Sequence, residues 1–291
     1  MLKDKFLNRG TIAGFSIILA VFALFSYFII NLDWEFADWT QVYYPAARSF
    51  LNPYFEVTPE RELYFYNPPW LAWILLPITV FPERVALALW MVLTILLTVW
   101  CVKKLDGGIF EVLLVLCSPA FVRLFIHAQI DIVVLLGFTI LVTSTQIYTQ
   151  GFGLLLMAIK PQVLSLGVLI HWLNLNRNDK VRILLPITAV TLISFLIYGF
   201  WPAELYDIRN LISRDPNVSI WPYGIPIGVI LLGIAIKRKN VYWGALSTFF
   251  FTPYLISHSL FAYTAVLFTR LPKKWSALIF AILWVLALMA T

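Results

Sequence analysis

Charge and cysteine are scarce in this sequence. Only 12% of its 291 residues are charged, about half the share of an average soluble domain, roughly 25%. So few charges cannot cover a water-facing surface when 61% of the chain is hydrophobic. A bilayer removes the difficulty, because lipid solvates the outward apolar faces. The only cysteines, Cys101 and Cys117, both stand in apolar stretches. They exclude a disulfide framework and a cysteine-based metal site. The chain also shows no soluble domain, no low-complexity run and no internal repeat. It has no dense carboxylate cluster to gather a divalent metal, so no cofactor is expected. The net charge of +6 is then a matter of membrane topology and not of nucleic-acid binding.

What is present is a series of apolar runs. Lys3, Lys5 and Arg9 precede the run 11–30, which at about 20 residues is long enough to span a hydrocarbon core. No small-residue cleavage site follows it. An uncleaved first helix with a cytoplasmic N-terminus is expected. The loop 31–67 carries Asp33, Glu35, Asp38, Glu56, Glu60 and Glu62 against Arg48 and Arg61. A loop poor in Lys and Arg belongs outside, and its Trp and Tyr content suits the headgroup level.

Further apolar runs cover 68–81, 85–102, 109–126, 130–147, 152–173, 183–200, 222–236, 241–269 and 275–290. Basic clusters at Arg177/Lys180/Arg182, Lys237/Arg238/Lys239 and Arg270/Lys273/Lys274 set the orientation. All three are cytoplasmic only if 241–269 turns back near Ser257-His258-Ser259. In this scheme Lys103 and Lys104 fall on the external side, against the charge rule. The expected fold is one all-α transmembrane domain over residues 1–291, a polytopic helical bundle of about ten spans. Short surface helices are expected in loop 31–67, and 201–221 forms a second external loop. Asn217-Val218-Ser219 in that loop is a glycosylation sequon, a triplet that also arises by chance.

Ionisable residues at or below headgroup level are expensive, and they tend to be functional. Asp38 follows helix 1, where a carboxylate on the external side can act as a general base; it can equally be a solvated acid in an acidic loop. Asn67-Pro68-Pro69-Trp70 opens an apolar run at two residues without an N–H, which a plain helix start also explains. Arg123, His127, Gln129 and Asp131 lie between two apolar runs, with 123 and 127 sharing a helical face. A polar surface turn with Arg123 snorkelling to headgroups is the other reading. Lys160-Pro161-Gln162 interrupts an apolar stretch, where a lysine costs roughly 2.5–3.5 kcal/mol on insertion scales. A lysine beside a proline break is a point charge for a phosphate, or else it pairs with an acid in the bundle. His258 is a similar polar insert, and a lone histidine is more often a satisfied bundle residue than a catalytic one.

The order of these elements resembles the polytopic glycosyltransferases of the GT-C superfamily, in particular glycosyltransferase family 87. The elements are Asp38, Val42-Tyr43, Ala46-Ala47, Pro53-Tyr54, the run Tyr64 to Trp70, Ala128-Gln129-Ile130-Asp131, Lys160-Pro161 and Thr252-Pro253-Tyr254 with His258 behind. They extend over about residues 10–260, and Ala128 stands where the family carries Gly. The family includes mannosyltransferases that use polyprenyl-phosphate mannose. The resemblance implies an enzyme of the cytoplasmic membrane with its active site on the external face. It would transfer a sugar from a polyprenyl-phosphate donor to a lipid or glycan acceptor. Asp38 and His258 would be catalytic, Lys160 and Arg123 would hold the donor phosphate, and Tyr43, Asn67, Gln129 and Asp131 would line the pocket. The rival readings are a transporter or flippase, which also breaks helices at midplane charges, and an inactive family member serving as a subunit.

Overall fold

The computed structural model describes residues 36, 38–54, 64–208 and 217–289. The expected first helix, 11–30, lies outside the described residues, as do parts of the two loops expected to be external. Among the described residues the chain is all helical, with no strand. A π-helical turn, Asp38–Tyr43, leads into α1 (Tyr44–Arg48), so short helices do occupy the first loop. Next come α2 (Trp70–Leu75), continued as a 3-10 turn to Val80, and α3 (Glu83–Lys104). α4 (Ile109–Leu116) and α5 (Pro119–Ile126) form a pair bent by 57°. The bend falls at Ser118-Pro119, where the Ser118 hydroxyl caps α5 by accepting from the Phe121 N–H at 3.2 Å.

The chain continues through α6 (Asp131–Thr143), α7 (Ile147–Met157), α8 (Ser165–Asn174), α9 (Arg177–Arg182), α10 (Leu185–Tyr198) and α11 (Pro202–Ile208). It closes with α12 (Ile225–Arg238), α13 (Val241–Phe251), α14 (Leu260–Arg270) and α15 (Lys273–Met289). Two of these stretches, Glu83–Lys104 and Arg177–Tyr198, are long and apolar enough to cross a membrane, and the bent pair makes a third if it counts as one span. Exposed side chains such as Leu196, Val229 and Leu288 cover the outer helices. That much apolar surface calls for a nonaqueous surround or a partner.

Polar groups inside the helices are closed locally. Thr94, Thr98, Thr139 and Thr143 each donate to a carbonyl four residues back, at 2.7–2.9 Å, which hides the hydroxyls without any outside partner. α6 and α7 meet at two glycines. A Cβ on Gly137 would lie 2.6 Å from the Gly153 carbonyl, and one on Gly153 would lie 2.6 Å from the Gly137 carbonyl. Small residues are what let apolar helices approach this closely without water to drive them together.

The helices run between two ends. Arg270 donates to the Leu105 carbonyl at 2.8 Å and lies 3.7 Å over the Tyr242 ring. Asn174 donates to the Lys239 carbonyl, and His171 pairs with Gln150. These contacts gather Lys103/Lys104, Arg177–Arg182, Lys237–Lys239 and Arg270–Lys274 at one end, the basic end. The opposite end collects the turns at 127–131, 158–164 and 252–259 together with the first loop.

This differs from the sequence expectation at one point. The run 68–81 does not pass from end to end, because it begins at Asn67, whose carbonyl accepts from Tyr54 at 2.7 Å, and ends at Phe81, whose carbonyl accepts from Tyr44 at 3.1 Å. Both partners lie in the first loop. Removing one crossing reverses every later leg up to the Lys160 break, and Lys103 and Lys104 then join the other basic clusters. The run 152–173 is also two helices, α7 and α8, separated at Lys160. The stretch 241–269 does fold back, through residues 252–259.

Candidate active site

The non-basic end holds one bonded cluster of polar side chains drawn from four parts of the chain. Asp38 begins the π-helical turn. Its neighbour Trp39 is fully buried and stacks on Trp90 with centroids 6.0 Å apart. The Trp90 indole N–H donates to the Ala128 carbonyl at 3.2 Å, so this pair of rings holds the Asp38 turn against residues 127–131. There α5 ends in a reciprocal cap. The Gln129 N–H donates to Leu124 O at 2.9 Å and the Ala128 N–H to Phe125 O at 3.0 Å, while Ala128 is left-handed at φ 49°. This is the position at which helices usually carry Gly. The cap turns the chain so that Gln129 and then Asp131, the first residue of α6, face inward.

The third part is the break between α7 and α8. Pro161 has no N–H to continue a helix. The free backbone groups of the break are met from α13 and α14. Gln162 O accepts from Thr252 Oγ1 at 3.3 Å and from the Tyr263 hydroxyl at 3.2 Å. Leu164, left-handed at φ 59°, then starts α8. Lys160 is thereby fixed in the interior. The fourth part is the 3-10 turn Ser257–Ser259, which presents His258 and Ser259.

Gln129 is the hub. Its Nε2 donates to Asp38 Oδ2 at 2.6 Å, and its Oε1 accepts from the Tyr43 hydroxyl at 2.9 Å and from Lys160 Nζ at 3.4 Å. Lys160 Nζ also donates to Asp131 Oδ2 at 2.7 Å and meets His258 Nε2 at 3.3 Å. Ser259 Oγ donates to Asp131 Oδ1 at 2.9 Å. Asp131 is wholly buried and Lys160 only 12% exposed, whereas Asp38 is 22% exposed and His127, 3.9 Å from it, is 45% exposed. The ion pair is therefore interior, and the Asp38 carboxylate is on the more exposed side of the cluster.

Asp38, Tyr43, Gln129, Asp131, Lys160 and His258 thus come together. Asn67 is tied to the same break, donating to the Ile159 carbonyl at 3.4 Å. Arg123 is not among them; it sits on the exposed side of α5, one turn before His127. His127, named with Arg123 in the polar turn but given no role, and Ser259, given none, both border the cluster. Both flank polar inserts in apolar runs, which was the available signal. Asn217 is committed elsewhere. Its amide donates to Pro253 O at 3.0 Å and accepts from the Ser219 and Leu255 N–H groups. A glycan on Asn217 would break that loop contact.

Chemically, Asp38 is a partly exposed carboxylate that accepts from the Gln129 amide, and a carboxylate there can take a proton from a hydroxyl. Lys160 is a largely buried cation linked to Asp38 through Gln129. Among the described residues no three His, Cys, Asp or Glu side chains are grouped to hold a metal. No protein-family model, curated protein or solved structure matches this chain.

Proposed function

We propose that the chain is a multi-pass membrane glycosyltransferase of the GT-C kind, resembling family 87, which transfers a sugar from a polyprenyl-phosphate donor to a lipid or glycan acceptor. The observation that carries this reading is the Asp38–Gln129–Lys160 contact. One glutamine side chain bridges a partly exposed carboxylate and a largely buried ammonium, which would hold an acceptor hydroxyl and a donor phosphate side by side. Asp38 is the base, Lys160 attracts the phosphate, and Tyr43 and Gln129 orient the two. A phosphate is already a good leaving group, so positioning and charge stabilisation supply much of the rate.

The basic clusters, gathered at one end, support an orientation with that end in the cytoplasm and the site on the external face. Counting the apolar run 11–30 as a span, the chain would make about ten or eleven passes. α6, α7, α8, α13 and α14 are 10–13 residues long, or about 15–20 Å at 1.5 Å per residue. From the cytoplasmic side they stop short of a core of about 30 Å. The cluster then lies inside the outer leaflet, at a depth that a lipid-borne phosphate reaches without leaving the bilayer.

A buried Lys–Asp pair between broken helices also fits a proton-linked transporter, and one experiment separates the two. Purified protein in vesicles receives a polyprenyl-phosphate hexose, mannose included, with a lipid acceptor. Sugar appearing on the acceptor supports the transferase. Translocation of a solute or lipid with no transfer from any such donor would support the transporter.

A further inference from the structure

Lys160 is a cation with no hydrogen left to give. A protonated lysine has three N–H donors and no acceptor. All three are directed at groups in the cluster, Asp131 at 2.7 Å, His258 Nε2 at 3.3 Å and Gln129 Oε1 at 3.4 Å. A phosphate can bind this ammonium only by displacing one of them. The contact to Asp131 is short and charge-assisted, and Asp131 is wholly buried, so it stays. The long contact to His258 is the weaker one. For Nε2 to accept from the ammonium, the His258 imidazole must be neutral, with its proton on Nδ1.

Charge sets the second constraint. Asp131 and Lys160 are opposite charges in contact, and Asp38 brings a second carboxylate on the more exposed side. A phosphodiester adds a further negative charge in a medium that screens little. The charged and titratable groups on the elements around His258 are Lys160, Asp131, His127 beyond the end of α5, Arg123 on its exposed side and Tyr263 on α14. Burial first and then Lys160 oppose an imidazolium at 258, whereas Asp131, with Oδ2 3.7 Å from Nε2, favours it. An anion beside Lys160 shifts that balance.

We propose that a phosphodiester ligand binds by displacing His258 from the Lys160 ammonium, and that His258 takes up one proton as it does so. The imidazolium then donates from Nε2 to the phosphate or to Asp131, and the cluster keeps the net charge it had when empty. The inference rests on the reading of the cluster as a phosphate site.

Geranyl methyl phosphate is a suitable probe, since a diester carries one charge and does not itself titrate near neutral pH. Its binding to the purified protein in lipid nanodiscs is measured by calorimetry at pH 7.5 in two buffers of different ionisation enthalpy. The expected result is an uptake of close to one proton per ligand and an affinity that falls as pH rises from 6 to 8, by up to about tenfold per unit. His258→Gln can still accept from Lys160 but cannot titrate. It should bind with no uptake and no pH dependence, while His127→Gln should keep both. His258→Asn is the second variant should the glutamine not fold. Saturable binding without proton uptake by the unsubstituted protein would overturn the inference and leave the phosphate site standing. Uptake lost in His127→Gln and kept in His258→Gln would overturn it as well. Absence of saturable binding would overturn the phosphate reading together with the inference.

Discussion

Replacing Lys160 by Met removes the charge and keeps most of the stem. What remains is Asp131, wholly buried, with the Ser259 hydroxyl at 2.9 Å, the His258 imidazole at 3.7 Å and, among the described residues, no other Lys or Arg paired with it. Breaking a buried ion pair from one side typically costs about 3–5 kcal/mol, because the other charge is left uncompensated. At about 2–4 °C per kcal/mol for a chain of this order of size, the midpoint of thermal unfolding should drop by roughly 6–20 °C. Asp131→Asn in the Lys160→Met background removes the stranded charge and keeps a group able to accept from Ser259. The double variant should therefore recover about 2 kcal/mol or more of the loss, a coupling of the size seen for residues in one network. The assay is thermal unfolding in a fixed detergent or nanodisc, with the four proteins of the cycle compared side by side. If the two single losses simply add in the double variant, Lys160 and Asp131 are not paired, and the account of the interior cluster is wrong.

Two further outcomes test the fold. With Cys101 and Cys117 replaced, Lys104→Cys and Lys274→Cys should react with a membrane-impermeant maleimide from the same side, and Leu51→Cys from the other; labelling of Lys104→Cys together with Leu51→Cys would restore the crossing at 68–81. Gly137→Ala or Gly153→Ala should destabilise the protein by about 1–3 kcal/mol through overpacking, while Gly233→Ala, which meets nothing within 4 Å, should not; equal effects in a stability assay would exclude the close α6–α7 contact.

The sequence made the site easier to read than the path of the chain. Charged and amide residues set into apolar runs are costly, so Lys160, Asp131 and Gln129 could be singled out with no knowledge of their neighbours. The turn at Ser257–Ser259 was legible for a similar reason, since three basic clusters had to share a side. The segment 68–81 was not. Hydropathy reports how apolar a run is, whereas a crossing depends on where its two ends land, and those are fixed by Tyr54 and Tyr44 across the chain. The Gly-to-Ala difference at 128 could be noted in the sequence, but its meaning, a left-handed helix cap that aims Gln129, needs the backbone. Arg123 illustrates the opposite failure. A helical face shared with His127 places it near the site, yet its side chain faces outward.

The central claim is that the Asp38–Gln129–Lys160 cluster performs sugar transfer, and Asp38→Asn tests it most directly. The substitution keeps the size of the side chain and its ability to accept from Gln129, and removes the base. Transfer from a polyprenyl-phosphate sugar by the purified protein in lipid is measured beside donor binding. The account predicts a loss of about 10²–10⁴-fold in turnover, the usual contribution of general-base catalysis, with donor binding largely kept. Turnover close to that of the unsubstituted protein would contradict it.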